Sequence, residues 1–175
     1  MSAIVIDTNV LLVADGQAPQ MTSICREECL RRLQRVRATE QVVLDTRWII
    51  LGEYHNKLSP NRSPTPGSEF LKWLLQVQAD AKHVSPVTIT PLDRGQTSFA
   101  EFPSDKALEK EFDPADRKFI AAANAHPEKP PVLESADSKW LRWEPKLNAH
   151  GIRLEILCRR ELEAIQKQRQ KRKKP

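Results

Sequence analysis

Apolar and polar positions along this chain fall into blocks whose period changes. Ile4-Val5-Ile6 is a short β-branched run that passes straight into Asp7-Thr8-Asn9, the pattern of a buried strand with polar residues at its carboxyl end. Gln41–Asp45, Pro131–Ser135 and Ile152–Leu157 read the same way, and Val87–Ile89, set between prolines, reads as a short edge strand. Helical spacing fills the intervals. Val10–Val13 starts a helix or a turn towards one. Thr22 or Ser23 can cap the next helix, with Glu27 and Glu28 in its first turn and Ile24, Leu30, Leu33 and Val36 on its apolar face. Arg47–Leu58 predicts a helix whose apolar positions include Trp48, Ile49, Leu51 and Tyr54. Ser68–Val77 predicts another, with Phe70, Trp73, Leu74 and Val77 together. Asp113-Pro114 supplies a cap and a first helical residue for a helix running to Ala125. Lys139–Asn148 reads as a helix interrupted near Pro145, and a last helix starts at Arg159.

The segments between these elements are less periodic. Ser59–Gly67 is proline-rich and is expected to be the most mobile part of the body. Pro91–Glu111 reads as a loop pinned by Phe99 and Phe102, then a short helix from Ser104. Strands alternating with helices argue for an α/β protein with a mostly parallel sheet flanked by helices. Neither an internal repeat nor a second core is visible.

Composition narrows the class. With 175 residues, 39% hydrophobic and 29% charged, the chain matches a soluble domain with one core. No apolar run approaches the roughly 20 residues needed to cross a bilayer. No basic segment precedes the first apolar run, so the expected location is cytoplasmic. Three cysteines without framework spacing argue against a disulfide scaffold. Cys25 and Cys29, four apart, read as small buried residues rather than as a metal site. The net charge is +5, from 28 basic and 23 acidic residues. Six of the basic residues lie within Lys167–Pro175, so without that tail the balance is 22 against 23. The tail is either a nucleic-acid contact or a solvated end, and the arginines on the Cys25–Val36 helix leave the same choice open.

Four acids stand out by position. Asp7 and Asp137 each follow a strand, so parallel strands put both carboxylates at one sheet edge. Glu53 is embedded in an apolar helical segment, and Asp116 opens a helix just after a cap. Each has a plainer reading: Asp7 as a helix cap, Glu53 as an exposed residue, Asp116 as the partner of Asp113 in a capping box, and Asp137 as a turn residue. Taken together, carboxylates so gathered repel one another unless a cation neutralises them. Hard oxygen ligands suit Mg²⁺ or Mn²⁺. Such an ion suggests phosphodiester hydrolysis, because it lowers the pKa of a water, orients the phosphate and stabilises the leaving oxygen. A phosphate-cradling glycine loop is absent, and glycine is scarce at five residues, which ranks other phosphotransfer chemistries lower.

At these residues the chain resembles the PIN-domain family of metal-dependent nucleases. The resemblance rests on Ile4–Asn9, on Leu51-Gly52-Glu53-Tyr54, on Asp116–Ala123 and on Leu133–Ser138, in that order, and spans about residues 3 to 157. It implies a three-layer α/β/α sandwich over residues 1–158, followed by a C-terminal helix and basic tail over 159–175. It implies that Asp7, Glu53, Asp116 and Asp137 form a Mg²⁺- or Mn²⁺-binding catalytic quartet, with Thr8 and Asn9 supporting Asp7 and Ser135 orienting the site. It further implies an endoribonuclease acting on single-stranded RNA, with an antitoxin or defence-system partner and a homodimer as family precedents. Arg117, Lys118 and Lys139 are candidate nucleic-acid contacts. Trp140 and Trp143 are either base-stacking residues or core. Lys139 stands where family members often carry a further acid, and the long Ser59–Gly67 loop and the tail exceed the small toxin pattern. A DNA nuclease of the same fold and a metal-free scaffold binding RNA or a partner protein remain the alternatives.

Overall fold

The computed structural model describes residues 1–58 and 64–173. Its centre is β1 (Ser2–Ile6), the middle strand of a five-stranded, wholly parallel sheet. On one side lie β2 (Glu40–Asp45) and then β3 (Val84–Val87); on the other lie β4 (Val132–Glu134) and then β5 (Leu154–Ile156). Ser2 pairs with Glu40, and Ile6 with Leu133. The chain first walks from β1 to β3 and then jumps back to β4. The reversal falls between β1 and β4, the crevice where open α/β sheets hold ligands.

Between β1 and β3 come α1 (Thr8–Ala14), α2 (Ser23–Thr39), α3 (Ile49–Leu58) and α4 (Pro66–Val77). After β3 come α5 (Lys106–Glu111) and α6 (Arg117–Ala125), and α7 (Lys139–Ala149) joins β4 to β5. A last helix, α8 (Arg159–Lys173), packs on α7. Right-handed crossovers, the rule for parallel βαβ units, place α1–α4 on one face and α5–α7 on the other. The packing agrees: α1 touches α2, α3 and α4, while α6 lies across β1, β2 and β4. The sheet is therefore covered on both faces, as its apolar strands require: Ile4, Val5, Ile6, Val42, Val43, Val132 and Leu133 are all buried. Trp140 and Trp143 are core residues, the first edge-on and the second tilted against Phe112, so they are buried rather than open to a base.

Local chemistry fixes the element ends. Asp7 caps α1, Thr22 caps α2, and a Thr65–Ser68 capping box with Pro66 at the first turn starts α4. Gly67 lies so close to α1 that a Cβ there would sit 2.6 Å from an Asp15 carboxylate oxygen and 2.7 Å from the Leu11 carbonyl, and its N–H donates to Asp15.

Several expectations are corrected. The edge strand is Val84–Val87 rather than Val87–Ile89; it pairs with β2 through residues 84–87. Ile24 is exposed, because α2 turns its Cys25, Cys29, Leu33 and Val36 face inward. Arg32 is no solvated cation: it is buried between Glu40, at 2.8 Å, and Glu155, at 2.6 Å. Cys25 and Cys158 form a disulfide across 133 residues, a pairing that spacing could not reveal, while Cys29 stays a free buried thiol. The fourth helix begins at Pro66, inside the proline-rich loop; Ser59–Ser63 of that loop lie outside the described residues. Among the described residues no helix is long and apolar enough to cross a membrane.

Candidate functional site

Three strands end on an acid or pass directly into one at the same sheet edge, and each spends its carboxylate differently. Asp45, at the end of β2, is consumed by backbone: Ile50 N–H donates to one oxygen, at 2.8 Å, and the N–H groups of Arg47 and Ile49 donate to the other, both at 3.0 Å. Asp7, just past β1, receives one such bond, 2.7 Å from Asn9 N–H to Oδ1. Its Oδ2 is buried and has no partner among the described residues. Glu134, the last residue of β4, accepts the Asp137 N–H at Oε1, at 3.0 Å, while its Oε2 is also buried and unpartnered. The Asp7 N–H donates to the Leu133 carbonyl, so the ends of β1 and β4 are tied together beside these two acids.

Glu53 reaches the same place from α3. The Thr8 hydroxyl donates to its Oε1, at 2.5 Å, and the Lys118 ammonium sits 2.6 Å from its Oε2. Tyr54, its neighbour, donates its hydroxyl to the Ile6 carbonyl and anchors α3 to β1. Asp116 ends a short 3₁₀ turn, Pro114–Asp116, and stands at the start of α6 without making a side-chain cap. Asp113 makes the cap instead, accepting the Ala115 N–H, so the capping-box reading of Asp116 does not hold. Asp137 follows β4 through Ala136, whose backbone takes the left-handed conformation at φ 76°. One Asp137 oxygen accepts the Lys139 N–H, and the other lies 3.2 Å from the Lys139 ammonium.

These acids lie within one another's fields. Burial raises the Asp7 carboxyl well above the ordinary range, and the charges of Asp116 and Glu53 push it further. Burial also raises Glu134 well up, helped by Asp7 and Asp137. Asp116 is pushed up to about 7, by burial first and then by Asp113 and Asp137. Asp113 moves the other way, held down by its 2.9 Å contact with Lys139. The quartet read from the sequence thus gathers on one crevice, and the structure adds Glu134 and Asp113. Glu134 carried the same signal as Asp7, an acid ending a buried run. No three of these carboxylates bring oxygens within 4.8 Å of one another; among the described residues only Cys25, Cys29 and Cys158 cluster so tightly. The reason is visible: Lys118 and Lys139 draw Glu53, Asp113 and Asp137 towards themselves.

The supporting residues divide. Thr8 holds Glu53, and Asn9 holds Asp7 through its N–H. Ser135 does not face the acids. Successive strand residues point to opposite faces, and its hydroxyl lies against the sulfurs of Cys29, Cys25 and Cys158, at 3.4, 3.7 and 3.9 Å. The three cations are engaged internally. Arg117 donates to the carbonyls of Thr97, Glu109 and Phe112, Lys118 to the Ala115 carbonyl and Glu53, and Lys139 to Asp113 and Asp137. Two clefts flank the acids. One, about 460 Å³, includes Glu53 and Lys118 and extends to Trp48. The other, about 290 Å³, is lined by Ser138, Lys139, Arg142 and Arg169, the last reaching from α8 to the Ser138 hydroxyl.

No protein-family model, no curated protein and no solved structure matches this chain.

Proposed function

We propose that this chain is a PIN-like, divalent-metal-dependent endoribonuclease acting on single-stranded RNA. One observation carries the reading: two carboxylate oxygens, Asp7 Oδ2 and Glu134 Oε2, are buried without partners among the described residues at the switch point of a parallel sheet. A buried, uncompensated carboxylate costs several kcal/mol, about as much as any single defect a small domain tolerates. Two side by side call for a proton or a cation.

The donor set fits a hard ion. Asp7, Glu134, Asp116, Glu53 and Asp137 offer only oxygens, as Mg²⁺ and Mn²⁺ prefer. Bound there, the ion would polarise a phosphoryl oxygen and supply a nucleophilic water at neutral pH. The chain's own residues do the rest. Thr8 and the Asn9 N–H hold Glu53 and Asp7 in place. Asp116, raised to about 7 by burial and by the neighbouring acids in the absence of an ion, would be held ionised by a bound cation. Lys118 pairs with Glu53, and Lys139 with Asp113 and Asp137; with a cation on those acids, the two ammonium groups would be available to phosphate oxygens. Arg142 and Arg169 extend the cationic rim on the far side.

The lysines also favour a second reading. Ion pairs from Lys118 and Lys139 satisfy Glu53, Asp113 and Asp137 without any metal, as a scaffold that binds RNA without cutting would need. Labelled single-stranded RNA and DNA, incubated with Mn²⁺, Mg²⁺ or EDTA, separate the readings. Cleavage of RNA that needs the ion and falls at least about 100-fold in Asp7→Asn supports the nuclease. Equal cutting of DNA would make the substrate class wrong. RNA binding without cleavage, with no calorimetric Mn²⁺ uptake by wild type, would establish the scaffold. An antitoxin or defence partner belongs to the same proposal, and co-purification with the product of a neighbouring gene tests it.

A further inference from the structure

We propose that the cleft beside α3 is a nucleobase subsite whose stacking platform is the Trp48 indole. The proposal rests on the nuclease reading and adds to it where one base of the strand is held.

Trp48 is out of place by every ordinary rule. Its side chain belongs to the largest apolar class, yet the residue is 53% exposed. Its backbone sits in the left-handed region, at φ 62°, which bulky residues rarely adopt. Such strain persists only where the surroundings enforce it and something is gained. The surroundings do enforce it: Asp45 holds the N–H groups on either side, those of Arg47 and of Ile49 and Ile50, and so clamps the turn containing Trp48. None of the ring–ring contacts among the described residues involves its indole.

Gly52 is the independent observation. It lies one turn along α3, its N–H bonded to the Trp48 carbonyl at 2.9 Å. A glycine inside a helix costs roughly 0.5–1 kcal/mol relative to alanine. Close packing usually explains one, but a Cβ on Gly52 would meet nothing within 4 Å. What the missing side chain leaves is the floor of the cleft. Gly52 and Asn56 lie four apart on one stripe of α3, and Trp48, just before its first turn, lines the same cleft. Gln96 from the loop before α5 lines the same cleft, as do Glu53 and Lys118 of the acid cluster. Glu53 follows Gly52 directly on α3, and it lines the same cleft as Trp48. A base stacked on Trp48 therefore leaves its phosphate within reach of the acid cluster, with the amides of Asn56 and Gln96 able to meet the base edge.

The test uses the non-cutting Asp7→Asn protein and a fluorescein-labelled single-stranded RNA decamer, read by anisotropy. Adding Trp48→Gly should weaken binding about tenfold, in the range of one lost base–aromatic stack. Trp48→Phe should keep most of it. Gly52→Leu, which fills the cleft, should match the glycine variant. Glycine accepts φ 62° without strain, so Trp48→Gly should melt no lower than its parent, which separates lost stacking from lost folding. Decamers carrying one abasic position should show a loss with the Trp48 parent and no further loss in Trp48→Gly. Unchanged affinity in both Trp48→Gly and Gly52→Leu would overturn the subsite while leaving the nuclease reading standing. Failure of the parent to bind RNA together with no wild-type cleavage would overturn both; failure to bind with wild-type cleavage intact would overturn the subsite alone.

Discussion

Asp7 and Asp45 are the same residue in the same local sequence position, an acid closing a buried β-run, and only the structure tells them apart. Asp45 is spent on three backbone N–H groups, whereas Asp7 keeps an oxygen in reserve. Opposite responses to one substitution follow. Asp45→Asn removes an acceptor from the α3 cap and should cost about 1–2 kcal/mol of stability. Asp7→Asn removes a buried like charge and should leave the metal-free melting temperature equal or higher while abolishing Mn²⁺ uptake; melting and calorimetry on the pair decide it. The raised acids also predict a pH dependence. The folded Asp116 carboxyl keeps until about pH 7 a proton that its unfolded form, near 3.8, has already lost. Folding therefore binds protons in that window, and stability falls as pH rises through it, with Asp7 and Glu134 adding in the same direction. In EDTA the melting temperature should drop by several degrees between pH 5 and pH 8. At pH 8, Mn²⁺ should reverse the drop. Constant stability across that range would mean the acids already have partners in solution. At this scale the sequence was informative about which acids gather, because strand ends are readable. It was silent on which oxygens stay free, because that depends on neighbours brought together by the fold.

Elements were legible where period and caps agreed, and misread where a long-range contact took over. The apolar spacing of Trp48, Ile49, Leu51 and Tyr54 placed Trp48 inside a helix. Asp45 capping starts that helix at Ile49 and pushes Trp48 out to solvent. Similarly, Arg32 read as one more arginine on a cationic helix face. It is instead the bolt joining α2 to β2 through Glu40 and to β5 through Glu155, and it stays charged despite burial because those two carboxylates hold it. Removing one side of a buried pair strands the other. Arg32→Ala should therefore cost about 3 kcal/mol, and the added change Glu40→Gln should recover part of it. Denaturant melts of the two single variants and the double variant measure the coupling. Simple additivity would mean that Glu40 finds water or Arg35, 3.8 Å away, as a substitute.

At the scale of the molecule, alternation of strands and helices gave the parallel sheet, but strand order and the Cys25–Cys158 link are long-range and leave no local trace. Both matter for how the C-terminal segment relates to the site. The disulfide fastens the entry of α8 beside α2. The first turn of α8 is then locked by a second set of contacts: Glu161 accepts from the N–H and hydroxyl of Thr22, Arg159 grips Glu144, and Leu162 is fully buried. Further along, the helix is polar, and Arg169 reaches back to Ser138 beside Asp137. The segment thus divides into an anchored start and a cationic extension running past the acid cleft. Deleting Lys167–Pro175 should leave the melting temperature within about 2 °C, since it removes no buried residue of the described core. It should nonetheless weaken RNA binding and flatten its dependence on salt, because each lost phosphate contact lowers the slope of log K against log salt by roughly 0.7 for a single strand. Binding measured from about 50 to 200 mM salt distinguishes the two roles of the tail. A slope lower by two or more assigns it to RNA; an unchanged slope makes it a solvated end, and leaves Lys139 and Arg142 as the cationic rim of the cleft.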